Sequence, residues 1–211
     1  MWLEDCPAGE KCAPYANDGG ASWNATRCVP IAPDAGQPGD PCTAEGPSPS
    51  GVDSCELHSM CWDLDRDTGE GTCRAFCIGS ESFPACAEAA HSCFISAEGT
   101  TPLCLPDCDP LAQDCQDGFG CYPVGSAYTC APDASGPNGG GQGSECSFVN
   151  ACAPGFACVS AALCESAGSC CSAYCSLSAP DCPEGSYCIS LYEDSAPPLG
   201  AEDVGVCGVA S

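Results

Sequence analysis

The chain has 211 residues, of which 25 are cysteine, 29 are acidic and four are basic, for a formal net charge of −25. Leu, Ile, Val and Phe together number only 28, too few for burial alone to offset the conformational entropy of folding. A self-sufficient hydrophobic core is therefore excluded, and disulfides are the expected replacement.

The four basic residues are Lys11, Arg27, Arg66 and Arg74, with none from 75 to 211. Phosphate backbones and anionic lipid surfaces are held through Lys and Arg, so the reading admits no nucleic acid and no anionic membrane as partner. An extracellular protein, a glycan or self-association stays open. The acidity itself reads as solubility or as divalent-cation binding. Disulfides persist in oxidising compartments, which predicts an extracellular or cell-surface location. Residues 1–6 lack the basic and apolar segments of an export signal, so the chain reads as a mature fragment or as one whose start is assigned too late. No stretch approaches the length of a membrane-spanning helix.

In chain order, 1–28 holds a short first module with Cys6, Cys12 and Cys28. Residues 29–41 form a Pro/Gly linker. Residues 42–130 carry three four-cysteine modules: Cys42, Cys55, Cys61 and Cys73; Cys77, Cys86, Cys93 and Cys104; Cys108, Cys115, Cys121 and Cys130. A second Gly/Pro linker, 131–145, resembles the first, and both read as exposed connections. Residues 146–211 carry Cys146, Cys152, Cys158 and Cys171, then Cys175, Cys182, Cys188 and Cys207, with Cys164 and Cys170 as an extra pair. Two cysteines five residues apart, often with glycine between them, recur in these modules. Cysteines three residues apart (Cys73/Cys77, Cys104/Cys108, Cys171/Cys175) read as hinges between modules.

Secondary structure is expected to be sparse. Residues 85–91 could make at most two helical turns, while 92–95, 187–190 and 204–207 read as brief strands. The predicted fold is small and disulfide-rich, mostly irregular with short β-hairpins, in an elongated tandem array of four-cysteine modules.

Connectivity does not follow from sequence alone, but the repeat supports a rule. Joining first to third and second to fourth cysteine interlocks both halves of a module and closes larger loops than joining loop neighbours. On that rule Cys42 joins Cys61, Cys55 joins Cys73, Cys77 joins Cys93 and Cys86 joins Cys104. Cys108 joins Cys121, Cys115 joins Cys130, Cys146 joins Cys158 and Cys152 joins Cys171. Cys164 joins Cys170, Cys175 joins Cys188 and Cys182 joins Cys207. In the first module Cys6 joins Cys28, and Cys12 is expected to keep a thiol because its mate would lie upstream. A free thiol or an intermolecular bridge is the alternative account of the odd cysteine.

Candidate chemistry is thin. Asp63, Asp65 and Asp67 place carboxylates at alternate positions ahead of Gly69 and Gly71, the oxygen donors calcium takes. The glycine comes one place late for an EF-hand and Arg74 stands at the twelfth position, so the alternatives are an irregular calcium site or a solvated acidic turn. Zinc would need matched close pairs of thiolates, whereas these spacings repeat as disulfide modules. His58 and His91 lie inside inter-cysteine loops and read as solvated. Bridged cysteines are not nucleophiles, and no catalytic residue and no cofactor beyond calcium is expected. Asn24-Ala25-Thr26 matches a glycosylation sequon, which in a bacterial host would read as no more than a turn.

The phrases 16–28 (Ala-Asn-Asp-Gly-Gly-Ala-Ser-Trp-Asn-Ala-Thr-Arg-Cys), 59–63 (Ser-Met-Cys-Trp-Asp), 104–106, 108–111 and 202–207 (Glu-Asp-Val-Gly-Val-Cys) resemble those of cysteine-rich secreted proteins of myxobacteria and their relatives. Members of that group often carry a ribulose-phosphate epimerase label. The epimerase is a (β/α)8 barrel with near-continuous apolar strands, and no such run occurs here. The expected role is structural or interactive, without catalysis. The rivals are a binding module for calcium, a glycan or a matrix ligand, for which Trp23 and Trp62 sharing one exposed face would speak, and an enzyme.

Overall fold

In the computed structural model the first strand of most hairpins leaves the short loop between two cysteines of a module. The structure describes residues 2, 4–46, 49–65, 67–96, 99–137, 139–164, 168–192, 196–198 and 200–209. The amides of Glu10, Phe119, Phe156 and Ser186 donate to the carbonyls of Pro7, Gln116, Ala153 and Pro183, each at 3.0 Å. The residue before each donor has a left-handed φ: 88° at Gly9, 80° at Gly118, 89° at Gly155 and 87° at Gly185. That is a type II turn, whose third position favours glycine. A Cβ there would meet nothing within 4 Å, so backbone conformation rather than space selects glycine. His58 and Ala90 hold the same position in the second and third modules, at φ 59° and 56°.

The strands that leave these turns are short and antiparallel. In the first module β1 (Glu10–Tyr15) pairs with β2 (Ala25–Pro30). In the second, β3 (Pro41–Thr43), β4 (Ser59–Trp62) and β5 (Glu70–Ala75) form a sheet with β5 at its centre. The third holds β6 (Ile78–Ser80) with β7 (Phe83–Ala85), and β8 (His91–Ser96) with β9 (Thr101–Pro106). The fourth is β10 (Phe119–Val124) with β11 (Ala127–Pro132). The last two modules share one sheet in the order β12 (Phe156–Val159), β13 (Cys170–Ser176), β15 (Val204–Gly208), β14 (Tyr187–Ser190). Among the described residues there is no α-helix, and 86–90 forms bends and a turn rather than helical turns. The epimerase barrel, built of parallel strands and helices, is a different fold.

Strand register explains the disulfides. The third and fourth cysteines of a module face each other across the hairpin: Cys61 opposite Cys73, Cys121 opposite Cys130, Cys158 opposite Cys171 and Cys188 opposite Cys207. Opposite residues project to one face, with Cβ atoms about 5 Å apart, and so present two sulfurs side by side. The first and second cysteines supply the partners. Cys42 joins Cys61 and Cys55 joins Cys73; Cys77 joins Cys93 and Cys86 joins Cys104; Cys108 joins Cys121 and Cys115 joins Cys130. Cys146 joins Cys158, Cys152 joins Cys171, Cys164 joins Cys170, Cys175 joins Cys188 and Cys182 joins Cys207. Sulfurs of the two bridges in a four-cysteine module lie within 4.8 Å of one another, so a stacked disulfide pair stands where a hydrophobic core would. The first module repeats the register, with Cys12 opposite Cys28. Cys28 joins Cys6, and Cys12 is buried outside the twelve disulfides.

The connecting segments carry more structure than a tether. Residues of 29–41 and 131–145 are hydrogen-bonded to the modules they precede, while most of the described ones stay exposed or half-buried. Gly39 N–H donates to the Cys73 carbonyl and Cys73 N–H to that of Asp40, each within 2.9 Å; Gly143, Cys171 and Ser144 repeat the pattern at 2.8 Å. Gly36 accepts from Glu56, and Gly140 from Ala153, at 2.9 and 3.0 Å. At Gly140 the approach is close: a Cβ there would lie 2.5 Å from the Ala151 carbonyl oxygen. Contrary to expectation, Cys171 and Cys175 do not flank a hinge. They sit on the single strand β13, which pairs with β12 at one end and β15 at the other.

The chain clusters into two compact units, 1–105 and 106–211. In the first, Met60, Phe76, Leu103 and Leu105 form a small apolar cluster, flanked by Trp23, Trp62 and Phe94. In the second, Tyr128, Ala201 and Val204 pack with Cys121, flanked by Tyr174 and Tyr192.

Candidate functional site

The first unit brings Trp23 and Trp62 together. Trp62 ends β4, while Trp23 lies in the turn region between β1 and β2. Their ring centroids are 5.2 Å apart with planes tilted by 35°. Both are half-buried against the Met60 cluster rather than displayed on an open face. Thr100 secures the approach by donating its hydroxyl to the Trp23 carbonyl at 2.9 Å. Beside Trp23 opens a groove of about 390 Å³, walled by Trp23, Met60 and Leu64, with Glu45, Ser50 and Asp65 among its polar lining.

One wall of the groove is fixed from behind by a charge that sequence reasoning passed over. Lys11, on β1, is fully buried. Its ammonium donates to Asp53 Oδ1 at 2.5 Å and to the carbonyls of Cys55 and Ser59 at 2.8 and 3.0 Å. Asp53 in turn accepts from the amides of Cys55 and Cys61 at 2.8 and 3.0 Å. All three ammonium protons are placed, the condition under which a buried ion pair is tolerated. This pair ties the first module to the cysteine loop of the second. Nothing in the sequence around Lys11 marks it as buried, since its partner Asp53 lies 42 residues away.

The acidic run 63–67 does not gather into one cluster. Asp63, at φ 54°, turns its carboxylate into the protein beside Arg74, 3.9 Å from the guanidinium. Burial pushes its pKa up to about 6, against the opposing pull of Arg74. Asp65 turns the other way and caps its own turn, accepting from the amides of Asp67 and Thr68 at 2.9 and 2.8 Å. Those hydrogen bonds hold its carboxyl below the usual range. Among the described residues, the triplets of potential ligands within 4.8 Å of one another are cysteines in disulfides, which offer no thiolate to a metal.

The histidines take structural places. His58 occupies the left-handed turn position that glycine fills elsewhere, and its ring lies 3.4 Å from Glu4. His91 opens β8 and lies 3.5 Å from Glu88. Asn24 accepts from the Asn17 amide at 2.9 Å, closing the turn between β1 and β2. In the second unit Tyr192 donates to Tyr128 at 2.9 Å, and Tyr128 stands edge-on to Tyr174 with centroids 6.0 Å apart. Burial raises the phenol pKa values of Tyr122, Tyr128 and Tyr174, so these hydroxyls stay protonated and serve packing.

Compared with known proteins, the chain matches no family model, no curated sequence and no solved structure.

Proposed function

We propose that the chain is a secreted or cell-surface, acidic, disulfide-rich repeat protein whose role is structural or interactive rather than catalytic. The observation that carries this reading is the stacked disulfide pair in each four-cysteine module. Such a core is stable where thiols are oxidised and is lost in a reducing cytosol. The similarity in phrase to the cysteine-rich secreted proteins of myxobacteria supports export and kinship with that group. The net charge of −25 favours partners that are neutral or cationic. Circular dichroism before and after reduction tests the reading. Loss of the hairpin signal on reduction is expected, because apolar burial is too small to hold the fold; a reduced chain that keeps its structure would contradict it.

A second reading is a binding module, favoured by the groove beside Trp23. Aromatic walls with a few polar groups at the rim are the usual make-up of a ligand site. Trp23 and Trp62 lie together, although half-buried, which leaves the groove rather than an open aromatic platform as the place for a ligand.

A further inference from the structure

We infer that the groove beside Trp23 takes an organic cation, an ammonium or guanidinium group on an aliphatic stem; this rests on the binding reading above. The walls suit the stem: Trp23, Met60 and Leu64 face a space of about 390 Å³, room for a four- or five-carbon chain. The polar rim suits the charge. Among the described residues three carboxylates line the groove, and one of them, Asp53, is already neutralised by Lys11. Glu45 and Asp65 are left, both exposed, and the turn amides of Thr68 and Asp67 hold the Asp65 carboxyl below the usual range. Among the described residues no cation lines the groove. Arg27 comes to its edge by donating to the Ser50 carbonyl, but its guanidinium rests over the Tyr15 ring, 4.9 Å from the centroid. Indole is the aromatic side chain that attracts cations best, and an anionic protein concentrates cationic ligands at its surface. A neutral sugar would use the indole but would make no ion pair with the rim carboxylates.

The test uses the oxidised chain and its tryptophan fluorescence. The probes are Nα-acetyl-lysine methylamide, 1,5-diaminopentane and, as the neutral control, methyl β-glucoside. Saturable quenching by the two cations is expected, weakening as salt is raised. It should weaken about fivefold in Glu45→Gln/Asp65→Asn, the effect of two exposed ion pairs. Asparagine keeps the Asx turn of residue 65, and a mass check for twelve disulfides guards against misfolding. Tighter binding of the lysine derivative points to a basic protein segment as the source, and tighter binding of the diamine to a free polyamine. Cation quenching that is unchanged in the double variant overturns the inference. Salt-independent binding of the glucoside without the cations overturns it too, while leaving the binding reading standing. No response to any of the probes removes both.

Discussion

At the scale of single residues, the chain's few charges of unusual sign or placement do the most. Lys11 and Asp53 satisfy each other inside the first unit, and removing one partner strands the other. Lys11→Met is expected to destabilise the oxidised protein by about 3–5 kcal/mol in denaturant titration, and adding Asp53→Asn should recover part of that loss. Asp63 gives a pH signature. Its folded pKa, about 6, lies above its ordinary value of 3.8, so the folded state holds the proton more tightly than the unfolded one. Its contribution is fully present below pH 3.8 and is lost as pH rises through 6, by on the order of 2–3 kcal/mol. Asp63→Asn should abolish that slope in unfolding curves measured between pH 4 and 7; an unchanged slope would place its origin elsewhere. The cysteines could be ranked from their spacing, but Lys11 and Asp53 could not, because nothing local marks a charge that lies 42 residues from its partner.

At the scale of elements, the legible part was the five-residue loop. Its glycine recurs because one turn type needs a left-handed residue, and the strand that leaves the turn carries the third cysteine opposite the fourth. The hairpin and the first-to-third, second-to-fourth pairing then follow from one register. What composition left open was how the two glycine-rich segments attach to their modules. Gly140 is used for close contact with the backbone of 151–153, and composition alone does not tell such a glycine from one in a flexible connection. Gly140→Ala should therefore destabilise by about 2 kcal/mol, since its Cβ would meet backbone at 2.5 Å. Gly141→Ala, whose Cβ would meet only an ordinary contact at 3.7 Å, should be close to neutral. Equal thermal stability of the two variants would refute the docked arrangement. The strand β13 was hidden for a related reason: three residues between cysteines fit a hinge as well as a strand that continues from one sheet partner to the next.

For the molecule as a whole, the physical theme is substitution of covalent for hydrophobic cohesion. Large apolar side chains are few, the clusters they form are small, and each unit is held by hairpins whose cysteines close loops of 6 to 25 residues. A loop of about 15 residues is worth roughly 3 kcal/mol through restriction of the unfolded chain, so even a few bridges outweigh the marginal stability of an ordinary domain. The same economy leaves the surface free to be acidic, with four basic residues against 29 acidic ones. The most direct test is disulfide mapping by mass spectrometry of proteolytic fragments under non-reducing conditions. Fragments should be joined through Cys42–Cys61 and Cys55–Cys73, with Cys146–Cys158 and Cys152–Cys171 as the matching pairs in the second unit. Bridges between loop neighbours, such as Cys55 to Cys61 or Cys152 to Cys158, would contradict the stacked-pair core.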